Sequence, residues 1–172
     1  MRKHLTALAL GAAVLATGVP SAVAAETPTR PLQGWSAPAP DVYGAPVDCP
    51  EGTSWRYSQT GTAWLSHLGR VTFEITHCTV APEGRFGQGT TVFTAANGDE
   101  LWMEHWGTFQ LDAVENPTRA DATLSWMIVG GTGRFAGATG SGTGAAHTAI
   151  TGPASGFTSG TWTGEIAYNG NS

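Results

Sequence analysis

The chain has 172 residues, of which 41% are hydrophobic and only 12% charged, and its formal net charge is −5. That length suits one domain with a buried core. Because acidic residues outnumber basic ones and no basic cluster is present, nucleic acid and anionic lipid are poor partners, and we expect neither.

The N-terminal residues are typical of a secretory signal. Arg2 and Lys3 precede an apolar run at 5–19 that is too short to form a stable membrane anchor. The small-x-small triplet at 22–24 predicts cleavage after Ala24 or Ala25. The mature chain would carry six Arg and no Lys against thirteen acidic residues, a net charge of −7. We therefore expect a secreted protein without a membrane span in its mature chain; an uncleaved anchor is the alternative.

Six of the ten prolines lie between residues 26 and 50. Apolar periodicity is absent there until Trp35. This composition predicts an extended arm, mostly without regular structure. The expected organisation is a signal peptide at 1–24, a Pro-rich arm at 25–52 and a folded domain at 53–172.

Cys49 and Cys78 are the only two cysteines. In an exported chain such a pair predicts a disulfide, which would fasten the end of the arm to the folded domain. In the chain-entropy model, a disulfide that closes a loop of this length stabilises the folded state by about 3–4 kcal/mol. Two free thiols or a metal site are the alternatives, but no CxxC spacing is present and no histidine pair has ligand spacing. We expect no metal and no cofactor.

From residue 54 onward the sequence predicts a series of β-strands. Alternation in 70–80 places Val71, Phe73, Ile75 and His77 on one face, and Asn97-Gly98 is a strong hairpin signal. Further strands are predicted at 54–64, 90–96, 99–111, 121–129, 140–151 and 156–168. Because no long helical pattern interrupts them, an all-β barrel or sandwich is expected. The small residues within the strands favour the barrel.

The segment at 128–142, IVGGTGRFAGATGSG, is the most distinctive part of the chain. It resembles the glycine-rich strand–turn–strand signature of the allene oxide cyclases and dirigent proteins, carried here by Gly130, Gly131, Gly133, Phe135 and Gly140. The resemblance implies a small antiparallel eight-stranded barrel with an apolar cavity, often assembled as a homo-oligomer. Phe135 would then close one barrel end. Since no helical pattern follows the glycines, a phosphate-binding loop is not expected.

Residues 99–109 contain the densest set of chemically useful side chains. Trp102, Glu104 and Trp106 share one face of the predicted strand, and Leu101, Met103, His105 and Phe109 share the other. If the even-numbered face lines the barrel, a carboxylate between two indoles could have a raised pKa suited to acid/base chemistry. The catalytic candidates are then Glu104, Glu74 and Arg56, and the ligand-binding candidates are Trp102, Trp106, Trp126 and Glu104. Alternatively, the Trp pair covers the outside, Glu104 is solvated and any Arg–carboxylate pair is structural.

Three functional hypotheses follow from these observations. The first is a secreted barrel that binds a small apolar or aromatic ligand without turnover. The second is a cofactor-free enzyme of the cyclase or dirigent kind, although the family's catalytic residues cannot be carried over to positions in this sequence. The third is an extracellular scaffold or interaction protein that docks a partner through its arm.

Overall fold

A computed structural model describes residues 27–81 and 83–169, so the predicted signal peptide lies outside the described residues. This part of the chain forms one antiparallel sheet of nine strands and a short 3-10 turn at Gly133–Phe135. The strands are β1 Thr29–Ser36, β2 Ala39–Gly44, β3 Trp55–Leu65, β4 Gly69–Val80, β5 Arg85–Ala95, β6 Glu100–Leu111, β7 Arg119–Gly131, β8 Thr139–Gly152 and β9 Ser155–Ala167. Nothing within these ranges forms a helix long and apolar enough to cross a bilayer.

The nine strands close into an eight-stranded barrel because β1 and β2 occupy one position in it. Both lie between β9 and β3. β1 pairs with residues 161–167 of β9 and 63–65 of β3, and β2 pairs with residues 157–158 of β9 and 56–59 of β3. Pro38 stands between the two half-strands. From β3 to β9 each strand pairs with the next in sequence. The predicted all-β, eight-stranded antiparallel barrel is therefore confirmed.

The prediction that the Pro-rich arm mostly lacks regular structure is wrong. It contains β1 and β2, which supply the strand that joins β9 to β3 and closes the barrel. Burial alternates along β1, with Leu32, Gly34 and Ser36 buried and Gln33 and Trp35 exposed. A proline removes only the ladder bond of its own N–H, so residues between the prolines still pair. Without them β3 and β9 would be unpaired edges.

One end of the barrel is packed solid. Phe135 is fully buried there, and its ring centroid lies 5.0 Å from the ring centroid of Tyr168. The guanidinium of Arg134 lies 4.9 Å from the ring centroid of Phe135. Phe135 belongs to the connection between β7 and β8, and its side chain is part of the buried core. The largest fully buried side chains around it and below it are Leu32, Leu65, Phe73, Phe93, Leu101, Met103, Trp126 and Ile166.

The glycine-rich segment folds the β7–β8 connection over this packed end. Gly133 has φ +54°, and a Cβ there would collide with the carboxylate of Asp99. A Cβ at Gly131 would collide with the carbonyl oxygen of Glu100. The backbone N–H of Glu100 donates to Thr132 Oγ1 at 2.8 Å, which fixes the turn. Glycine is therefore required for close approach to the β5–β6 hairpin.

The Cys49–Cys78 disulfide is present, as predicted. It links the β2–β3 connection to β4, with the two Cα atoms 5.7 Å apart. This connection belongs to the barrel end opposite Phe135, because β3 begins there and β4 finishes there. The disulfide therefore fastens one of the connections around the open end.

Candidate functional site

The end of the barrel opposite Phe135 holds a cavity of about 1350 Å³, including its mouth. The β4–β5, β6–β7 and β8–β9 connections surround the mouth. Trp162 lies at the bottom, and its ring meets that of the buried Phe93 edge-on at a centroid distance of 5.2 Å. The indole therefore separates the cavity from the packed end. Pockets for drug-sized ligands occupy roughly 300–1,000 Å³, so the space is sufficient for a small molecule.

An aromatic wall lines one side of this cavity. The imidazole of His77 lies between the rings of Tyr57 and Phe86, at centroid distances of 4.4 and 4.6 Å and interplanar angles of 11° and 28°. These residues belong to β4 and to its two neighbours β3 and β5. The three rings form a continuous stacked surface.

A wall of small aliphatic side chains lies on the other side. Ala120, Ala122 and Leu124 from β7 and Ala146 from β8 line the cavity. In a closed barrel of eight positions, β3 is opposite β7 and β4 is opposite β8. The stacked rings and these short side chains therefore face each other across the cavity, and we call the space between them the slot.

A bulge in β5 brings Phe86 into the aromatic wall. Phe86 pairs with Gly107 and Gly89 pairs with His105, so β5 has two residues, Gly87 and Gln88, where β6 has one. Gln88 takes the left-handed conformation, with φ +50°. The extra residue reverses the alternation, so the even-numbered Phe86 and the odd-numbered positions after it are buried on the same side.

His77 and His105 form a hydrogen-bonded pair in the cavity. His77 Nδ1 lies 3.3 Å from His105 Nε2, and His105 Nδ1 lies 3.2 Å from Thr91 Oγ1. Burial lowers the pKa of His77 to about 3, with a contribution from the neighbouring His105, and burial lowers the pKa of His105 to about 4. Both imidazoles are therefore neutral at pH 7. Within 27–81 and 83–169, no cluster of three or more His, Cys, Asp or Glu side chains with metal-site geometry is found.

A buried carboxylate supports the wall beside Tyr57. Asp41 Oδ1 accepts hydrogen bonds from the hydroxyl of Tyr57 at 2.8 Å and from Gln59 Nε2 at 3.3 Å. Its Oδ2 accepts from Thr158 Oγ1 at 3.0 Å and from the hydroxyl of Tyr43 at 3.4 Å. Burial raises the pKa of Asp41, and the hydrogen bonds from Tyr57, Thr158 and Tyr43 act in the opposite direction. Burial and the nearby Asp41 raise the pKa of Tyr57 as well, so its hydroxyl remains a donor.

Trp102, Glu104 and Trp106 lie on the outer face of the barrel, not in the cavity. All three are exposed, and Trp102 Nε1 donates to the carboxylate of Glu100 at 2.8 Å. They were candidates only if the even-numbered face of β6 pointed inward, and the even-numbered face points outward. Leu101, Met103 and His105 occupy the inward face because Leu101 pairs with the buried Phe93.

The other candidates are also outside the cavity. Glu74 is exposed on β4, and Arg56 donates to the carbonyl oxygen of Val47 at 3.3 Å and to Thr76 Oγ1 at 3.5 Å. Trp126 is buried in the packed core and donates to the carbonyl oxygen of Thr143 at 2.9 Å. The proposed Arg–carboxylate centre of Arg56, Glu74 and Glu104 does not form: no ion pair joins them among the described residues.

The cavity residues that sequence reasoning missed are Tyr57, His77, Phe86 and His105. A signal for the two histidines was present, because each continues an alternating apolar series: His77 follows Val71, Phe73 and Ile75, and His105 follows Leu101 and Met103. A polar side chain at the next inward position of such a series indicates a polar group in the interior. Phe86 had no such signal, since its direction depends on the bulge.

Comparisons with models of known protein families, with curated protein sequences and with solved structures find no match to this chain. The resemblance to the allene oxide cyclases and dirigent proteins therefore rests on the glycine-rich segment, and it stays a prediction.

Proposed function

We propose that this protein is a secreted binding protein that holds a small, flat, mainly apolar ligand in the open end of its barrel. The observation that carries the proposal is the cavity itself, with stacked aromatic rings on one side and short aliphatic side chains on the other. A ligand between these walls would bury apolar surface on both of its faces, at roughly 25 cal/mol per Å². The Cys49–Cys78 disulfide and the signal-like N-terminus support export.

The geometry favours binding over the two alternative functions. The catalytic candidates for an enzyme, Glu104, Glu74 and Arg56, all lie outside the cavity. The scaffold hypothesis requires only a stable barrel, for which a solid interior is sufficient. Here only the half near Phe135 is solid, while the half above Trp162 keeps an open space.

The test is a titration with N-phenyl-1-naphthylamine, a neutral flat probe whose emission rises in apolar surroundings. We expect saturable binding of one probe per chain. Ala146→Trp places an indole in the slot and should weaken binding at least tenfold. The matched control is Ala149→Trp, three residues further along β8 at an exposed position, which should leave binding unchanged. Absence of saturable binding, or equal binding by the Ala146→Trp variant with its fold intact, would refute the proposal.

A further inference from the structure

The hydrogen bonds behind the aromatic wall determine which chemical group the cavity presents to a ligand. Thr91 Oγ1, His105 and His77 form a chain in which the two rings are joined through His105 Nε2 and His77 Nδ1. Thr91 is 3% exposed and His105 is 6% exposed. The first two groups of the chain are therefore removed from bulk water.

The direction of this chain follows from the number of protons available. Thr91 Oγ1 has no other hydrogen-bond partner among the described residues, so its O–H must donate to His105 Nδ1 or remain unsatisfied in a buried position. A neutral imidazole carries one N–H. His105 then has its proton on Nε2 and donates to His77 Nδ1. His77 must therefore carry its own proton on Nε2.

His77 Nε2 is the part of the ring that faces the cavity. Tyr57 and Phe86 cover the two faces of the imidazole, and Nδ1 is bonded to His105. Only the remaining edge is left to contact the open space that His77 lines. Nε2 has no hydrogen-bond partner among the described residues. The wall formed by Tyr57, His77 and Phe86 thus offers the cavity a fixed N–H donor at His77 Nε2.

The charge around the cavity selects among possible acceptors. None of the described residues that line it is Arg or Lys, while Glu83 and Asp112 lie at the mouth. The mature chain as a whole is also acidic. An anionic acceptor, such as a carboxylate, would meet no cation and an unfavourable field. A neutral oxygen is therefore favoured.

We propose that the ligand is a flat, neutral aromatic molecule with a carbonyl oxygen, as in aryl ketones and quinones, and that this oxygen accepts a hydrogen bond from Nε2–H of His77. This inference rests on the proposed function, since it names the ligand class of the same cavity. The ring system would lie in the slot between the aromatic and aliphatic walls. The carbonyl would point along the edge of the imidazole, in the plane of its N–H.

The experiment compares 9-fluorenone with fluorene, which share one planar skeleton and differ by the carbonyl. Each displaces N-phenyl-1-naphthylamine in a competition titration. We expect fluorenone to bind roughly two- to tenfold more tightly, the usual net worth of one hydrogen bond. The carbonyl stretching band of bound fluorenone should move to lower wavenumber. His77→Phe keeps the stacking but removes the donor, and should abolish both effects; the exposed His147→Phe on β8 is the control.

The three outcomes separate this inference from the proposed function. Tighter fluorenone binding that depends on His77 supports both. Equal binding of the two probes overturns the carbonyl inference and leaves a binding cavity in place. Failure of both probes to bind overturns both.

A further measurement needs no variant. The ¹⁵N shifts of the ligand-free protein should show Nε2 protonated and Nδ1 bare in His77 and His105. A proton on Nδ1 of His77 would overturn the inference.

Discussion

The two histidines of the cavity should make the protein sensitive to acid. In the unfolded chain a histidine has a pKa of about 6.5, whereas in the folded protein the pKa of His77 is about 3 and that of His105 about 4. Between these values the unfolded state binds protons that the folded state does not. Stability is therefore full above about pH 6.5 and falls as the pH decreases towards 4, by up to about 1.4 kcal/mol per pH unit for each histidine.

Urea unfolding at a series of pH values measures this dependence. Because carboxylates also titrate in the acid range, the readout is the difference in slope between the wild type and His77→Gln/His105→Gln. We expect a shallower slope in the double variant. The exposed His147→Gln should keep the wild-type slope. Equal slopes in all three proteins would contradict the assigned pKa shifts.

Asp41 on β2 is a buried carboxylate that accepts from four donors, and its oxygens link β2 to β3 and β9. Asp41→Asn keeps the size but replaces one acceptor oxygen with a donor, which removes the acceptor of at least one hydroxyl in the cluster. We expect a loss of about 2–4 kcal/mol in the free energy of unfolding, measured with urea. Asp121→Asn, at an exposed salt bridge, should change stability little. If the two variants behave alike, the buried cluster is not important for stability.

At the scale of elements, the bulge in β5 positions the histidine pair. A Cβ at Gly89 would collide with the imidazole and carbonyl oxygen of His105, whereas a Cβ at Gly87 meets nothing within 4 Å. We expect Gly89→Ala to lower the free energy of unfolding by about 1–3 kcal/mol, as overpacking does, and to weaken probe binding. Gly87→Ala lies in the same bulge and should behave like the wild type. Thermal unfolding and the probe titration test both variants, and a harmless Gly89→Ala would contradict the described packing.

The strands themselves could be predicted from alternation and turn signals, but their inward faces could be predicted only in part. In β4, Val71, Phe73 and Ile75 are the only apolar residues between 70 and 75, and their side is indeed inside. In β6 both sides are apolar, with Trp102 and Trp106 on one and Leu101 and Met103 on the other. Packing against β5 places Leu101 and Met103 inside. The sequence of β6 alone does not indicate which side faces inward.

Two other features depended on distant parts of the chain. The Pro-rich segment becomes β1 and β2 because β9 and β3 leave a gap that one strand fills, and the partner strands begin 11 and 111 residues after β2 ends. Phe86 faces inward because of one extra residue, which shifts every position before it. The disulfide was predictable because only two cysteines exist.

At the scale of the whole molecule, one half of the barrel is filled by the core and the other half contains the cavity. The core around Phe135 fills the end where the glycine-rich connection folds over the sheet. The half above Trp162 keeps its space because β7 and β8 present alanines to the stacked rings. The ligand that we propose would therefore enter without opening the core.

The outer surface offers a competing location for an aromatic ligand. Trp35 and Trp64 pair across β1 and β3, and Trp102 and Trp106 lie on β6, all of them exposed. Exposed apolar side chains are common on protein surfaces and need no ligand. The cavity differs because it can enclose both faces of a flat molecule.

The most direct test of the cavity is a ¹H–¹⁵N spectrum of the tryptophan indoles during titration with fluorene. We predict that the signals of Trp162, at the cavity floor, and Trp55, in its lining, shift and saturate together. The signals of Trp35, Trp64, Trp102 and Trp106 should stay where they are. Shifts confined to these four outer indoles, with Trp162 unchanged, would contradict the account.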